Sequence, residues 1–441
     1  MEKKPRIYVV IGTFYPIVGG AEKQALTQSA AMRKKGYEAT VITFRHDNAW
    51  SPHEVMDGVP VIRVAGTLLA GRGKLPHPLQ KALYLIALAV MGRTLWHHRR
   101  FYDVLHVQQL NLLTLPIALI CRLTGKPMVI VVQSTGLDKA AGSKHTSLVA
   151  GPLDATAIWL QVPDGNRTGS DLEDLARIGK PGVRFTRALL LRIHAVIVIL
   201  SSRMKDYLAG HDFYLPGTQL IPNGVDITRF QPADTDTSLT KQSQVVLCLA
   251  RLSYQKGIDV LLQAWRLVHE QVSQAQLIIV GTGPLQSQLE RMAQELGIAN
   301  SVEFAGLRSD VVTQLHRGSV AVLPSRYEGM SHALLEAMAC GLACVATRVS
   351  GCEDLIQQGV NGLLVEPEDY QGLAQALICL LDDSELAQKY GEAARAAVEK
   401  DYSLERIVDT YIELYHRVTE AKWPTAVDQV FAANTVTTLV E

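Results

Sequence analysis

The sequence carries no surplus of either charge, its 43 Lys and Arg being matched by 43 Asp and Glu. It therefore lacks the basic excess of a nucleic-acid-binding chain. Metal-binding cysteine spacing is missing too. Cys121, Cys248, Cys340, Cys344, Cys352 and Cys379 sit mostly in apolar runs with no Cys-x2-Cys pair, so reduced core thiols are expected. The apolar run 82–91 falls far short of the ~20 residues that a membrane-crossing helix needs. Met1 to Arg6 passes at once into Ile7–Ile11 with no signal-peptide core between, from which a cytoplasmic location is expected. The dinucleotide fingerprint Gly-x-Gly-x-x-Gly is absent near the first strand, since six residues separate Gly12 from Gly19. That counts against a dehydrogenase.

What is present is alternation over 441 residues, a length that favours two domains. In the first half, β-branched runs at 7–11, 39–44, 59–64, 104–107, 128–132 and 195–200 alternate with helical patterns at 21–35 and 110–123. The second half repeats this, with runs at 245–250, 275–280, 302–304, 320–323 and 343–347 and helices at 258–269, 285–296 and 333–340. Such a rhythm predicts two parallel sheets covered by helices on both faces. The expected domains are 1–224, with a long loop at 133–183, then 225–403, then a helix from 404 that returns to the first domain and a tail to 441. A further helical pattern, 78–95, is apolar and flanked by Arg72, Lys74, Lys81, Arg93, Arg99 and Arg100. Either it packs on the sheet with solvated ends, or it lies at a membrane interface. In the second case each basic residue near an anionic surface contributes ~1 kcal/mol.

Two doubly wound domains that face each other bring the carboxyl ends of both sheets to one cleft, so chemistry is sought on strand-to-helix loops. The pair Gly19-Gly20 opens a helix, where bare amides and the helix dipole favour a phosphate. Arg251 and Lys256 follow a strand of the second half and suit a diphosphate, one as a bidentate fork and the other as a point charge. In the segment 324–341, Glu328 falls on the loop and Glu336 on the next helix among apolar neighbours. A carboxylate placed there must be paired or bound to a ligand. Sugar hydroxyls would satisfy both acids; a solvated loop acid and a structural ion-pair partner are the alternative. The amides of Gly329, Met330 and Ser331 could meet further oxygens at the helix entry. Asp234-Thr235-Asp236 fits a metal-holding Asp-x-Asp pattern but lies in a polar linker with no strand before it, so no metal site is expected.

With Ile221–Asp226 and Asn361–Val365 added, these motifs make nearly the whole chain resemble the retaining glycosyltransferases of the family-4 type, the glycosyl transferases group 1. The resemblance implies the α/β fold called GT-B, two doubly wound Rossmann-like domains facing a central cleft. It implies a metal-independent transfer, with retention, of a sugar from a nucleotide-diphosphate donor to a hydroxyl acceptor. Arg251 and Lys256 would bind the diphosphate, Glu328 the donor sugar and Glu336 the ribose, while Gly19 and Gly20 approach from the other domain. No cofactor beyond the donor substrate is implied. The acceptor would be a saccharide, a lipid-linked saccharide or a small molecule, with peripheral contact at the inner face of a membrane as an option and no nucleic acid. Two departures stand out: Ala250 replaces a usual glycine, and Gln133-Ser134-Thr135-Gly136 stands where the family often has a histidine. His106, at another strand's end, is assigned a structural role. The rival readings are a non-catalytic sugar-nucleotide binder and an epimerase or phosphorylase on the same scaffold.

Overall fold

The computed structural model describes residues 3–17, 19–69, 76–134, 171–176, 178–233 and 244–420. The β-branched runs form two sheets. The first holds β1 (Ile7–Val10), β2 (Ala39–Phe44), β3 (His53–Met56), β4 (Val59–Val64), β5 (Val104–Val107), β6 (Met128–Val132), β7 (Val196–Ile199) and β8 (Gln219–Leu220). Its order is β3-β4-β2-β1-β5-β6-β7-β8, parallel except for β3 against β4. That hairpin turns on Asp57 and Gly58, both at positive φ (48° and 76°). An Asp-Gly pair is the sequence signal for such a two-residue turn.

Among the described residues, the helices of this half are α1 (Gly20–Lys34), α2 (Gly66–Leu69), α3 (His77–His97), α4 (Thr114–Thr124), α5 (Asp171–Ala176), α6 (Gly179–Arg192) and α7 (Arg203–Gly210). The crossover from β1 to β2 runs one way across the sheet, and those from β4 through β5 and β6 to β7 run the other way. Right-handed connections then put α1 on one face and α3, α4 and α6 on the opposite face.

The second sheet holds β9 (Val245–Leu249), β10 (Gln276–Val280), β11 (Val302–Gly306), β12 (Val320–Leu323), β13 (Ala343–Thr347) and β14 (Leu363–Val365), parallel throughout in the order β11-β10-β9-β12-β13-β14. It is the doubly wound arrangement with one change of direction, between β9 and β12. Around it lie α8 (Ile258–Gln271), α9 (Gln286–Glu295), α10 (Val311–Leu315), α11 (His332–Ala339), α12 (Cys352–Leu355), α13 (Tyr370–Asp382) and α14 (Ser384–Asp401).

The last described helix, α15 (Leu404–Glu420), packs on α1 of the first half. Its buried residues Ile407, Tyr411, Tyr415 and Val418 follow helical spacing, so one face meets the first domain. Tyr415 shares a 2.5 Å hydrogen bond with Nδ1 of His106, at the core of β5. Burial pushes that imidazole down to about 3, so it is neutral and structural. Where the chain crosses between halves it does so twice at one seam. Val225 N donates to Tyr402 O at 2.9 Å and Leu404 N to Val225 O at 2.8 Å. A Cβ on Gly224 would come within 2.9 Å of the Leu404 Cα, so only glycine fits this crossing.

Two expectations need correction. The stretch 133–183 is not one loop, because α5 and the start of α6 occupy its end, with Leu172, Leu175, Leu189 and Leu190 turned inward at helical spacing. Cys379 is exposed while the other five cysteines are buried. The apolar face of α13 runs through Leu373, Leu377, Leu380 and Leu381, which leaves position 379 pointing outward. Residues 135–170, Arg72, Lys74, Asp234 to Asp236 and the tail from 421 lie outside the described residues. Among the described residues no helix is long and apolar enough to cross a membrane.

Tyr415→Phe strips the buried His106 of its partner, and a loss of roughly 1–3 kcal/mol is expected. Urea unfolding of both proteins measures it; equal midpoints and slopes would show that the hydrogen bond does not hold α15 to the first domain.

Candidate active site

Strand order changes direction between β1 and β5 in one sheet and between β9 and β12 in the other. Ligands of open parallel sheets bind outside the strand ends at such points. The loops after β1, β9 and β12 carry Gly19 and Gly20, Arg251 and Lys256, and Glu328 to Ser331. Helices α1 and α11 start from two of these loops and bring their N-termini together across the cleft. A Cβ on Gly20 would sit 3.5 Å from the ring of His332.

Packing between the loops after β9 and β12 fixes the second-domain wall. Gly257 ends a 3-10 turn, Tyr254–Lys256, at φ 62°, and a Cβ there would lie 2.0 Å from the Pro324 carbonyl oxygen. Behind it Arg326 donates to both oxygens of Asp259 (2.9 and 2.7 Å), to Glu368 (2.5 and 3.2 Å) and to the Tyr254 carbonyl (2.7 Å). Its guanidinium lies 4.0 Å over the Tyr254 ring. Hydrogen bonds to Asp259 and Glu368 outweigh burial and raise its pKa further. So clamped, the turn sets Lys256 Nζ 2.5 Å from Oε1 of Glu328, which also accepts from Ser325 Oγ at 2.6 Å.

Glu336 is buried one turn into α11, and its cation comes from the other domain: Lys23 of α1 forms an ion pair with it across the cleft. A further contact crosses the same gap, and a cap holds the helix start beside it. Asn223 Nδ2 donates to the Met330 carbonyl at 3.0 Å, and Ser331 Oγ caps α11 by accepting from Leu334 N at 3.4 Å. A Cβ on Gly329 would fall 1.8 Å from the carbonyl oxygen of Gln133, so that contact exists only because position 329 has no side chain. Gln133 is anchored in turn, its N–H donating to Asp171 at 2.7 Å and its side-chain amide to Gln108 at 3.1 Å.

All nine residues singled out from the sequence thus lie on the loops and helix starts bordering one cleft. Arg251 is exposed there and makes no ion pair among the described residues. Four further residues of the cleft carry no signal of their own in the sequence. Lys23 is one turn beyond the glycine pair, and Arg326 and His332 stand inside a motif whose acids draw the attention. Glu22 accepts from Thr13 at 2.5 Å, and burial raises its pKa against the opposing effects of that hydrogen bond and of Arg251. His332 is half-buried, and its enclosed Nε2 has no hydrogen-bond partner among the described residues. Burial first, then the charges of Lys23 and Lys256, push its imidazole down to about 3. Facing helix N-termini and three cations favour a doubly charged anion, while the two carboxylates accept from hydroxyl groups. Among the described residues no three His, Cys, Asp or Glu are grouped to hold a metal ion.

Family models match both halves of the chain. The family model described as Glycosyl transferases group 1 matches residues 231–397, and that described as Glycosyl transferase 4-like domain matches 19–224. The chain is 33% identical over 180 residues to N-acetyl-alpha-D-glucosaminyl L-malate synthase of Bacillus anthracis, covering 41% of this chain and 47% of that one. It is also 33% identical over 220 residues to a GDP-mannose-dependent monoacylated alpha-(1-6)-phosphatidylinositol monomannoside mannosyltransferase of Corynebacterium glutamicum, covering 46% and 56%. The chain spans about half the length of the curated relatives it matches. In fold it is similar to sucrose-phosphate synthase of Thermosynechococcus elongatus, with TM-score 0.73, 21% identity and coverage of 94% and 99%. HepE of Anabaena, solved in complex with UDP, gives TM-score 0.67, 20% identity and coverage of 93% and 100%.

Two imidazoles, the buried His106 and the half-buried His332, make the fold sensitive to mild acid. Both are held near 3 against an ordinary 6.5, so the unfolded chain takes up their protons first. Stability is complete above pH 6.5 and falls as pH drops towards 3, by about 1.4 kcal/mol per pH unit for each histidine. Unfolding curves between pH 7 and pH 5 should show this slope, and His332→Asn should remove one histidine's share. An unchanged slope in the variant would contradict the lowered pKa of His332.

Proposed function

Because the chain belongs to the glycosyl transferases group 1, with a glycosyl transferase 4-like domain in its first half, we propose that it moves a sugar from a nucleotide-diphosphate donor onto a hydroxyl acceptor. Retention at the anomeric carbon and independence of metal are part of the proposal. The observation that carries it is the meeting of Arg251, Lys256, Glu328 and Glu336 between two facing helix starts.

In this reading Arg251 and Lys256 hold the diphosphate, and the amides of Gly329, Met330 and Ser331 with the Gly19-Gly20 turn receive its remaining oxygens. Glu328 accepts from a hydroxyl of the donor sugar and Glu336 from the ribose, each exchanging its present lysine for the ligand. As the bond from the anomeric carbon to the phosphate oxygen breaks, positive charge collects on the sugar ring and negative charge on the departing diphosphate. Fixed donors at such a place lower the barrier by roughly 3 kcal/mol each. The acceptor oxygen bonds to the anomeric carbon from the side the phosphate leaves. Its proton passes to a phosphate oxygen, so no protein nucleophile is needed and the configuration is retained. The acceptor is a saccharide, a lipid-linked saccharide or a small molecule held by the first domain; the names of the two relatives include malate and a phosphatidylinositol mannoside.

Arg251→Ala and Glu336→Ala should each cut donor turnover by about 10²-fold or more, with thermal melting close to wild type for the exposed Arg251. Isothermal titration with nucleoside diphosphates and product analysis by mass spectrometry measure both effects, and full turnover in both variants would sink the assignment. Activity should also persist in excess chelator. Loss on chelation that manganese or magnesium restores would point back to Asp234 and Asp236.

A further inference from the structure

Helix α3 breaks the rule for a surface helix. Its inward stripe is apolar as usual, but so is its outward one, where Leu79, Leu85 and Ile86 face solvent, Leu85 being 64% exposed. Beside it packs α4, and beside α4 packs α6. These neighbours continue the stripe with Leu123 (69% exposed), Leu119 and Phe185 (54%). Six large apolar side chains on adjoining helices exceed the scattered exposure of an ordinary surface.

Charge on the same helices is one-sided. Although the whole chain is neutral, α3, α4 and α6 contain no Asp or Glu. Lys81, Arg93, Arg122, Lys180, Arg184 and Arg192 are exposed on them, and among the described residues none makes an ion pair. Just past α3, Arg99 lies 4.7 Å from the ring of the exposed Trp96.

We propose that the face formed by α3, α4 and α6 is a docking surface for an anionic lipid bilayer, the apolar side chains entering the headgroup layer and the cations meeting lipid phosphates. Apolar bodies set among cations are the makeup of an interfacial surface. A polyanion such as nucleic acid would neutralise the cations and leave the leucines in water. A second copy on a two-fold axis would bury them but set one array of cations against its equal. A bilayer with anionic headgroups satisfies both. The inference rests on the first domain being the acceptor side in the function proposed above, and vesicle binding tests it separately from turnover.

The full chain is floated with vesicles of phosphatidylglycerol and phosphatidylcholine, and with vesicles of phosphatidylcholine alone, at low and high salt. Partition is expected to be at least tenfold greater on the anionic vesicles and to fall tenfold at high salt. The double variants Leu85→Glu with Ile86→Glu, and Lys180→Glu with Arg184→Glu, should each lose tenfold while melting like wild type. Turnover on a soluble acceptor should be unaffected in both, which separates failure of docking from failure of the transfer reading. Equal binding to both vesicle types, unaltered binding by both variants, or a dimer in ultracentrifugation that the Leu85 variant breaks would overturn the proposal.

Discussion

A carboxylate enclosed one turn inside α11 must find a cation, and the one that Glu336 finds belongs to the other half of the chain. Leaving such a charge buried and unpaired would cost several kcal/mol. The pair with Lys23 therefore ties the closeness of the two domains to the charge state of the cleft. Around it the backbones approach as only glycine permits, at Gly329 against Gln133, and Asn223 binds the Met330 carbonyl. A ligand that offers hydroxyls to Glu336 and phosphates to Lys23 would satisfy both partners at once.

Glu328 obeys the same rule within one domain, and its support reaches further. Lys256 reaches it from a turn that Arg326, tied to Asp259, Glu368 and the Tyr254 carbonyl, braces from behind. Arg326 touches neither acid, but it sets the spacing between the loops after β9 and β12. That spacing is the width of the second-domain wall.

Much of this is legible in the sequence, and for a physical reason. Buried parallel strands read as near-continuous apolar runs, so those that begin at Ile7, Met128, Val245 and Val320 announce themselves, and two doubly wound sheets follow from their alternation with helices, the GT-B name being what the family resemblance implies. The hairpin of β3 escapes notice because its four residues are half polar, and only the Asp57-Gly58 turn marks it. Residues 171–183 merge into the preceding loop because Gly179, Pro181 and Gly182 break the helical pattern there. At the cleft, residues next to glycines and strand ends can be picked out by chemistry and place. Lys23 and His332 cannot, since their significance comes from what lies opposite, and a linear pattern carries no information about the facing domain.

The seam at Val225 and Tyr402–Leu404 also limits how the halves can move. Two separate crossings of the chain, bonded to each other at 2.9 and 2.8 Å, act as a two-ply strap and not as a loose tether. Because the crossings are bonded to each other, the halves are joined along one line, at Gly224 beside Leu404, and not at two separated points.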